Sequence, residues 1–233
     1  MLQAVFFDLD ETLIDAGKCH VEAGVRTFDH YGMDYLKARE ITGNFLGIRM
    51  REIMAARRDA MGLTEAEAPV AHMNSMREKH YIDLITTHVT LMPGAADAVT
   101  AAAKAGAVVA VVSSETEPCI RAVLQHFGLA RHVDYVVGGD HVTHGKPHPE
   151  PYELAFRRLQ DCRAARKADC LAVEDSVVGS TAALGAGLPL CLVPMQPLSE
   201  PVAATYHLPD LTGFPALVEQ LARPHTNGAP HRS

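Results

Sequence analysis

The sequence predicts an α/β protein: a doubly wound parallel sheet of Rossmann-like type, with a helical segment inserted after its first strand. Three observations predict it. Short apolar runs closed by Gly, Pro or acidic residues recur with room for a helix between them. From about residue 16 to 88 that alternation gives way to helical spacing alone. Polar residues directly follow the apolar runs, where an open parallel sheet places its ligand crevice.

Taken in order, residues 3–7 (QAVFF) form a buried strand closed by Asp8 and Asp10. Helical stretches follow at 18–31, 50–61 and 65–87, where Ile53, Met54 and Met61, then Tyr81, Leu84 and Ile85, recur at helical spacing. Pro93-Gly94 marks the return to alternation. Residues 95–105 read as helix, 107–112 (AVVAVV) as strand, 117–127 as helix and 135–137 as strand. Helix at 150–159, strand at 170–173 (CLAV), a helix opening at 180–185 and a strand at 190–193 complete the pattern. The domain reading is a core of residues 1–15 and 89–223, a helical insert at 16–88, and a disordered tail at 224–233 rich in Pro, His, Gly and Asn.

At 233 residues and 48% hydrophobic composition, the chain can bury a core without disulfide or metal staples. Its net charge of −7 argues against a nucleic-acid partner. Five cysteines, an odd number with no C-x-x-C, fit reduced thiols better than a disulfide framework or zinc site. The N-terminus has no basic region before its apolar run, and no apolar run is long enough to span a bilayer. The expectation is a cytoplasmic protein without a membrane partner, a monomer or weak homodimer.

The residues after the apolar runs are the candidates for chemistry. Asp8 and Asp10 stand two apart, so extended backbone would present both on one face, where mutual repulsion calls for a cation. Asp175 would add a third anionic oxygen, and an oxygen-only set favours magnesium over zinc. Strand-end capping explains Asp8 and Asp10 equally well when the pair is taken alone. Ser113 and Ser114 suit phosphate oxygens or a plain helix N-cap. Lys146, beside Pro147, could neutralise phosphate and nucleophile, although a loop lysine is ordinarily solvated. Glu174 and Asp175 close a buried strand, and two acids there need compensation.

Asp8-Leu9-Asp10-Glu11-Thr12-Leu13, then Ser113, then Lys146-Pro147, then Glu174-Asp175-Ser176, resemble in order the four motifs of the haloacid dehalogenase-like superfamily. The insert between the first two motifs resembles the small helical cap of the subgroup with phosphoglycolate phosphatases, sugar phosphatases and beta-phosphoglucomutase. The resemblance implies a phosphatase acting on a small phosphorylated metabolite. Asp8 would attack phosphorus and become an aspartyl phosphate. Asp10 would act as acid and then base. Ser113 and Lys146 would bind phosphate. Magnesium would be held by Asp8, the Asp10 carbonyl and Asp175, supported by Glu174. The position after Asp10, often Gly in the family, is Glu11 here.

Asp10 argues against a dehalogenase, which lacks that second aspartate. Met50 stands three residues after Gly47, where phosphonoacetaldehyde hydrolase has its lysine. His20 and Arg77 resemble mutase cap positions, so a phosphomutase is the alternative within the family. His20 reads either as a contact to the leaving group or Asp10, or as a hinge histidine bound to backbone. Gly47 opens the segment that resembles the family's specificity loop and is a substrate-binding candidate; Arg49, Arg51 and Arg77 are candidates for reading a second anionic group, although each arginine also reads as a solvated one. Cys19 beside His20 does not read as a nucleophile, because adjacent helix residues do not face each other. From other classes, a receiver domain would lack the insert, and a silent binding protein would have lost Asp8 or Asp10.

Overall fold

Six strands form one parallel sheet in a computed structural model that describes residues 1–43 and 48–223. They are β1 (Ala4–Phe7), β4 (Val108–Val112), β5 (Tyr135–Val137), β6 (Cys170–Glu174), β7 (Leu190–Leu192) and β8 (Tyr206–His207), in spatial order β5-β4-β1-β6-β7-β8. β1 is central, pairing Ala4 with Val108 on one side and with Cys170 on the other. The chain therefore reverses its direction of travel across the sheet beside β1, the switch point at which doubly wound sheets open a crevice. Two short strands, β2 (Ile14–Asp15) and β3 (Thr90–Leu91), pair antiparallel as a separate ribbon.

The period-two alternation of the strands divides the core into two apolar layers. Val5, Phe7, Val109, Val111, Leu171 and Val173 face one side; Ala4, Phe6, Ala110, Val112 and Ala172 face the other. On the first side lie α5 (Ala95–Lys104), α6 (Glu117–His126) and α9 (Phe214–Ala222), and on the second α7 (Glu150–Cys162) and α8 (Val177–Gly185). All core residues of β1, β4 and β6 are buried, which explains why these strands read as unbroken apolar runs.

Between β2 and β3 run α1 (Gly17–Asp29), α2 (Tyr35–Thr42), α3 (Met50–Ala60) and α4 (Val70–His88). α1 packs chiefly on α4. Phe28, Met33, Tyr35, Ile53, Met54 and Met73 form a separate apolar cluster among these helices. The inner residues of α1 and α4, Cys19, Ala23, Tyr81, Leu84 and Ile85, join the first apolar layer of the sheet instead.

Several elements differ from the sequence expectation. The helix expected at 65–87 starts at Val70, because Pro69 stands at its N-cap and Glu65 accepts the Val70 N–H from a preceding turn. α2 was not expected: its eight residues bury only Tyr35 and Ala38 and so carry little periodicity. β8 and α9, also unexpected, complete the sheet edge and the first layer. The helix expected from 180 opens at Val177, where the Ser176 hydroxyl accepts the Gly179 N–H. The tail at 224–233 lies outside the described residues. Among the described residues no helix is long and apolar enough to cross a membrane.

Candidate active site

The ends of β4, β1 and β6 lie side by side, and the residues beyond them converge. The Asp8 N–H donates to the Val173 carbonyl at 2.9 Å, carrying the ladder one residue past β1 and placing its carboxylate at the switch point. Lys146, on the loop between β5 and α7, is no solvated loop lysine: it is buried, and its Nζ donates to Asp8 Oδ1 at 2.6 Å, Glu174 Oε1 at 2.6 Å and the Val112 carbonyl at 3.0 Å. Tyr152 of α7 donates its hydroxyl to the same Glu174 oxygen. Gly179 of α8 makes room for that carboxylate: a Cβ there would lie 1.9 Å from Glu174 Oε2.

Burial alone would lower the pKa of Lys146, but Asp8 and Glu174 outweigh it and hold the ammonium charged. Burial pushes Asp8 well above the ordinary carboxylate range, with Glu174 and Asp175 adding to the rise and Lys146 opposing it. Asp175 is pushed up to about 8 by burial and by Glu174 beside it. Carboxylate oxygens of Asp8, Glu174 and Asp175 lie within 4.8 Å of one another. One buried ammonium thus stands among three acids, and burial raises two of them. An all-oxygen set with a charge deficit fits a hard divalent cation.

Asp10 belongs to a second cluster. The turn after β1 folds tightly, with the Leu13 N–H on the Leu9 carbonyl at 2.8 Å and the Glu11 N–H on the Ile14 carbonyl at 2.7 Å. It takes Glu11 into the left-handed region at φ 63°, the conformation that favours the glycine common at this position. Burial and the neighbouring Asp15 and Asp10 push the Glu11 carboxyl up to about 7. The Asp10 carboxylate turns to His20 Nε2 at 2.8 Å and the Ser113 hydroxyl at 3.4 Å. Ser113 also accepts the Glu115 N–H at 3.0 Å, so it organises the turn after β4, while Thr116 takes the N-cap position of α6.

Behind His20 stands Arg77 of α4, bonded to His20 Nδ1 and, at 2.6 Å, to Glu115 Oε2. A guanidinium only donates, so Nδ1 accepts and His20 offers Nε2–H to Asp10. Burial would raise the Asp10 pKa, but His20, Arg77 and Lys146 together hold it below the ordinary value. Arg77 and Glu115 are 1% and 3% exposed, so the reading of Arg77 as a solvated arginine is corrected: its partner, 38 residues away in sequence, draws it inside. His20 contacts Asp10 rather than serving as a hinge histidine. Cys19 is buried with its thiol pushed up to about 12 by burial, which suits no nucleophile.

Other expected residues stand apart. Arg49 caps α3 and donates to the Val142 carbonyl at 3.0 Å and to Glu52, its side chain lying along the bare backbone of Gly139 and Gly145. Arg51 is exposed and Ser114 half-buried. Gly47 lies outside the described residues. Glu115, Tyr152 and Gly179 join the site without having been anticipated. For Glu115 a signal existed, since it also follows the β4 run.

The sequence model described as haloacid dehalogenase-like hydrolase matches residues 5–193. Protein CbbY of Cereibacter sphaeroides is 34% identical over 199 residues, covering 83% of this chain and 84% of the relative. A phosphoglycolate phosphatase of Rhodospirillum rubrum is 29% identical over 235 residues, covering 98% of this chain and 94% of the relative. Crystal structures of CbbY from Rhodobacter sphaeroides, one with phosphate and one of a mutant with xylulose-(1,5)bisphosphate, align with TM-scores of 0.77 and 0.76. Each is 28% identical, covering 91% of this chain and 96% of the other. With the paired aspartates, buried lysine and acidic strand end in place, the chain belongs to the haloacid dehalogenase-like hydrolase family, among its phosphatases.

Proposed function

We propose that this protein is a magnesium-dependent phosphatase that removes phosphate from a small phosphorylated sugar or sugar acid, through an aspartyl phosphate on Asp8. The observation that carries the proposal is Lys146 Nζ, held at 2.6 Å from both Asp8 and Glu174 beside Asp175. Asp8 Oδ2 is left to attack phosphorus while Lys146 fixes Oδ1 and adds positive charge against the phosphoryl oxygens. Asp8, Asp175 and the Asp10 carbonyl, with Glu174 in support, would hold magnesium, which would supply charge neutralisation at the transferring group.

Asp10 is the proton carrier. A phosphoryl dianion beside it raises its proton affinity, so it can protonate the leaving oxygen. Once the leaving group has gone, the hold of His20 and Arg77 favours the carboxylate, which takes a proton from the water that hydrolyses the intermediate. Ser113 steadies Asp10 and offers its hydroxyl to phosphate. The helical segment at 16–88 acts as a cap that excludes bulk water, engaging the core through Arg77–Glu115 and through Arg49 on Val142.

Because CbbY was crystallised with a pentulose bisphosphate, that ester heads the candidate substrates, with phosphoglycolate next. The test is phosphate release from a panel of the pentulose bisphosphate, phosphoglycolate, hexose phosphates and an aryl phosphate, with magnesium and with chelator. Release should need magnesium and vanish in Asp8→Asn. Chelator-resistant release would remove the metal role. Normal turnover by Asp8→Asn would remove the nucleophile. Turnover of a glucose phosphate isomer without release would replace hydrolysis by phosphomutase chemistry.

A further inference from the structure

A cluster of side chains of metal-ligating type lies outside the site described above, on the loop that delivers Lys146. His144, His148 and Glu150 each place a ligand atom within 4.8 Å of the others. The two imidazoles lie 4.7 Å apart, centroid to centroid, with their planes 33° apart. Both are exposed, and Glu150 is half-buried at the start of α7.

The cluster is built rather than casual. Glu150 accepts the Thr143 N–H at 2.8 Å and the His144 N–H at 2.9 Å, and meets His144 Nδ1 at 3.0 Å. The Glu150 N–H in turn donates to His148 Nδ1 at 3.1 Å. Pro147, Pro149 and Pro151 interleave the segment and restrict its backbone, so the ordering entropy of a closed site is largely met before a ligand arrives.

We propose that His144, His148 and Glu150 form a second metal site, for a borderline divalent cation of the zinc class. Two imidazole nitrogens and one carboxylate oxygen are the donors such ions favour, whereas magnesium takes oxygen and water. In a tetrahedral zinc site the ligand atoms stand about 3.4 Å apart, so the cluster closes by small rotations of exposed rings. The fourth position faces solvent and takes water. Because His144 and His148 bracket Gly145-Lys146-Pro147, an ion joining them ties the two ends of the lysine loop together.

The test is equilibrium dialysis of the full chain against zinc with magnesium saturating, repeated with cobalt for its absorption bands. His144→Ala/His148→Ala is compared with the parent, and Asp175→Asn marks the magnesium site. The double variant should bind one zinc fewer per chain, each single variant should weaken that zinc about tenfold or more, and Asp175→Asn should retain it. The histidines of the tail are common to all the variants and cancel in the difference. Equal zinc counts in parent and double variant, or loss of the same zinc in Asp175→Asn, overturns the proposal. So does a six-coordinate, water-like cobalt spectrum that the histidine variants leave unchanged.

Discussion

Replacing Gly179 by alanine sets two effects of known size against each other. In a helix interior the exchange ordinarily stabilises by about 1 kcal/mol. Here the new Cβ would stand 1.9 Å from Glu174 Oε2 and 2.2 Å from its carboxyl carbon, where ordinary contact begins at 3.4 Å. The carboxylate must retreat by about 1.5 Å, yet it is 1% exposed and held by Lys146 and Tyr152. Moving it gives up charge-assisted hydrogen bonds of about 1.5–3 kcal/mol each. The expected net is a loss of about 2–5 kcal/mol, a fall in Tm of at least about 4 °C for a chain of this size. Phosphate release should fall with it, because Lys146 loses one of its two anionic anchors. Gly185, near the end of the same helix, is the control: its Cβ would meet Pro149 at 3.5 Å, ordinary contact, so Gly185→Ala should be neutral or stabilising. Circular dichroism melts of both variants, with a phosphate assay, decide the matter. A Gly179→Ala protein that melts and turns over like Gly185→Ala would refute the packing argument.

Arg77→Met should cost about 3–5 kcal/mol in urea unfolding, because it strands Glu115 in a buried setting, and Glu115→Gln added to it should recover much of that loss; strict additivity of the two changes would count against a coupled pair. Glu11→Gly should raise Tm by a few degrees, since about 1 kcal/mol of left-handed backbone strain is relieved, and a lower Tm would show that the Glu11 side chain contributes more than its conformation costs. Native protein at pH 8 should react with one equivalent of a thiol reagent, at exposed Cys162, and with five after unfolding. Burial holds Cys19, Cys170 and Cys191 up at about 12 against an ordinary 9, so the stability they lend is intact below pH 9 and lost as pH climbs toward 12. Rapid labelling of a second thiol at pH 8 would contradict this.

Asp8, Asp10 and Ser113 were legible as candidates because strand ends in a parallel sheet converge by topology, whatever the intervening sequence, whereas Lys146, on a loop, stood out only through its family resemblance. What was illegible depended on partners far along the chain. Nothing local in α4 distinguishes Arg77 from a solvated arginine; its burial follows from Glu115 and His20, on other elements. Tyr152 reads as an ordinary core aromatic, and its bond to Glu174 exists only after α7 packs on β6's neighbours. α2 was missed because a short polar helix with two buried residues has no periodicity to read; α9, nine residues long, was left unassigned, although a proline in the first turn, as Pro215 is here, is compatible with a helix.

The ribbon of β2 and β3 has an architectural effect. Ile14 lies opposite Leu91 and Asp15 opposite Thr90, so the chain leaves for the excursion that carries α1 to α4 and comes back at the same place. The excursion leaves and rejoins the core through a stem two residues long, while the inner faces of α1 and α4 sit in the first apolar layer. Evolution could trim, enlarge or exchange what lies beyond those inner faces without asking any strand of the sheet to find a new neighbour, leaving Asp8 and Lys146 in register while the surface above them is rewritten.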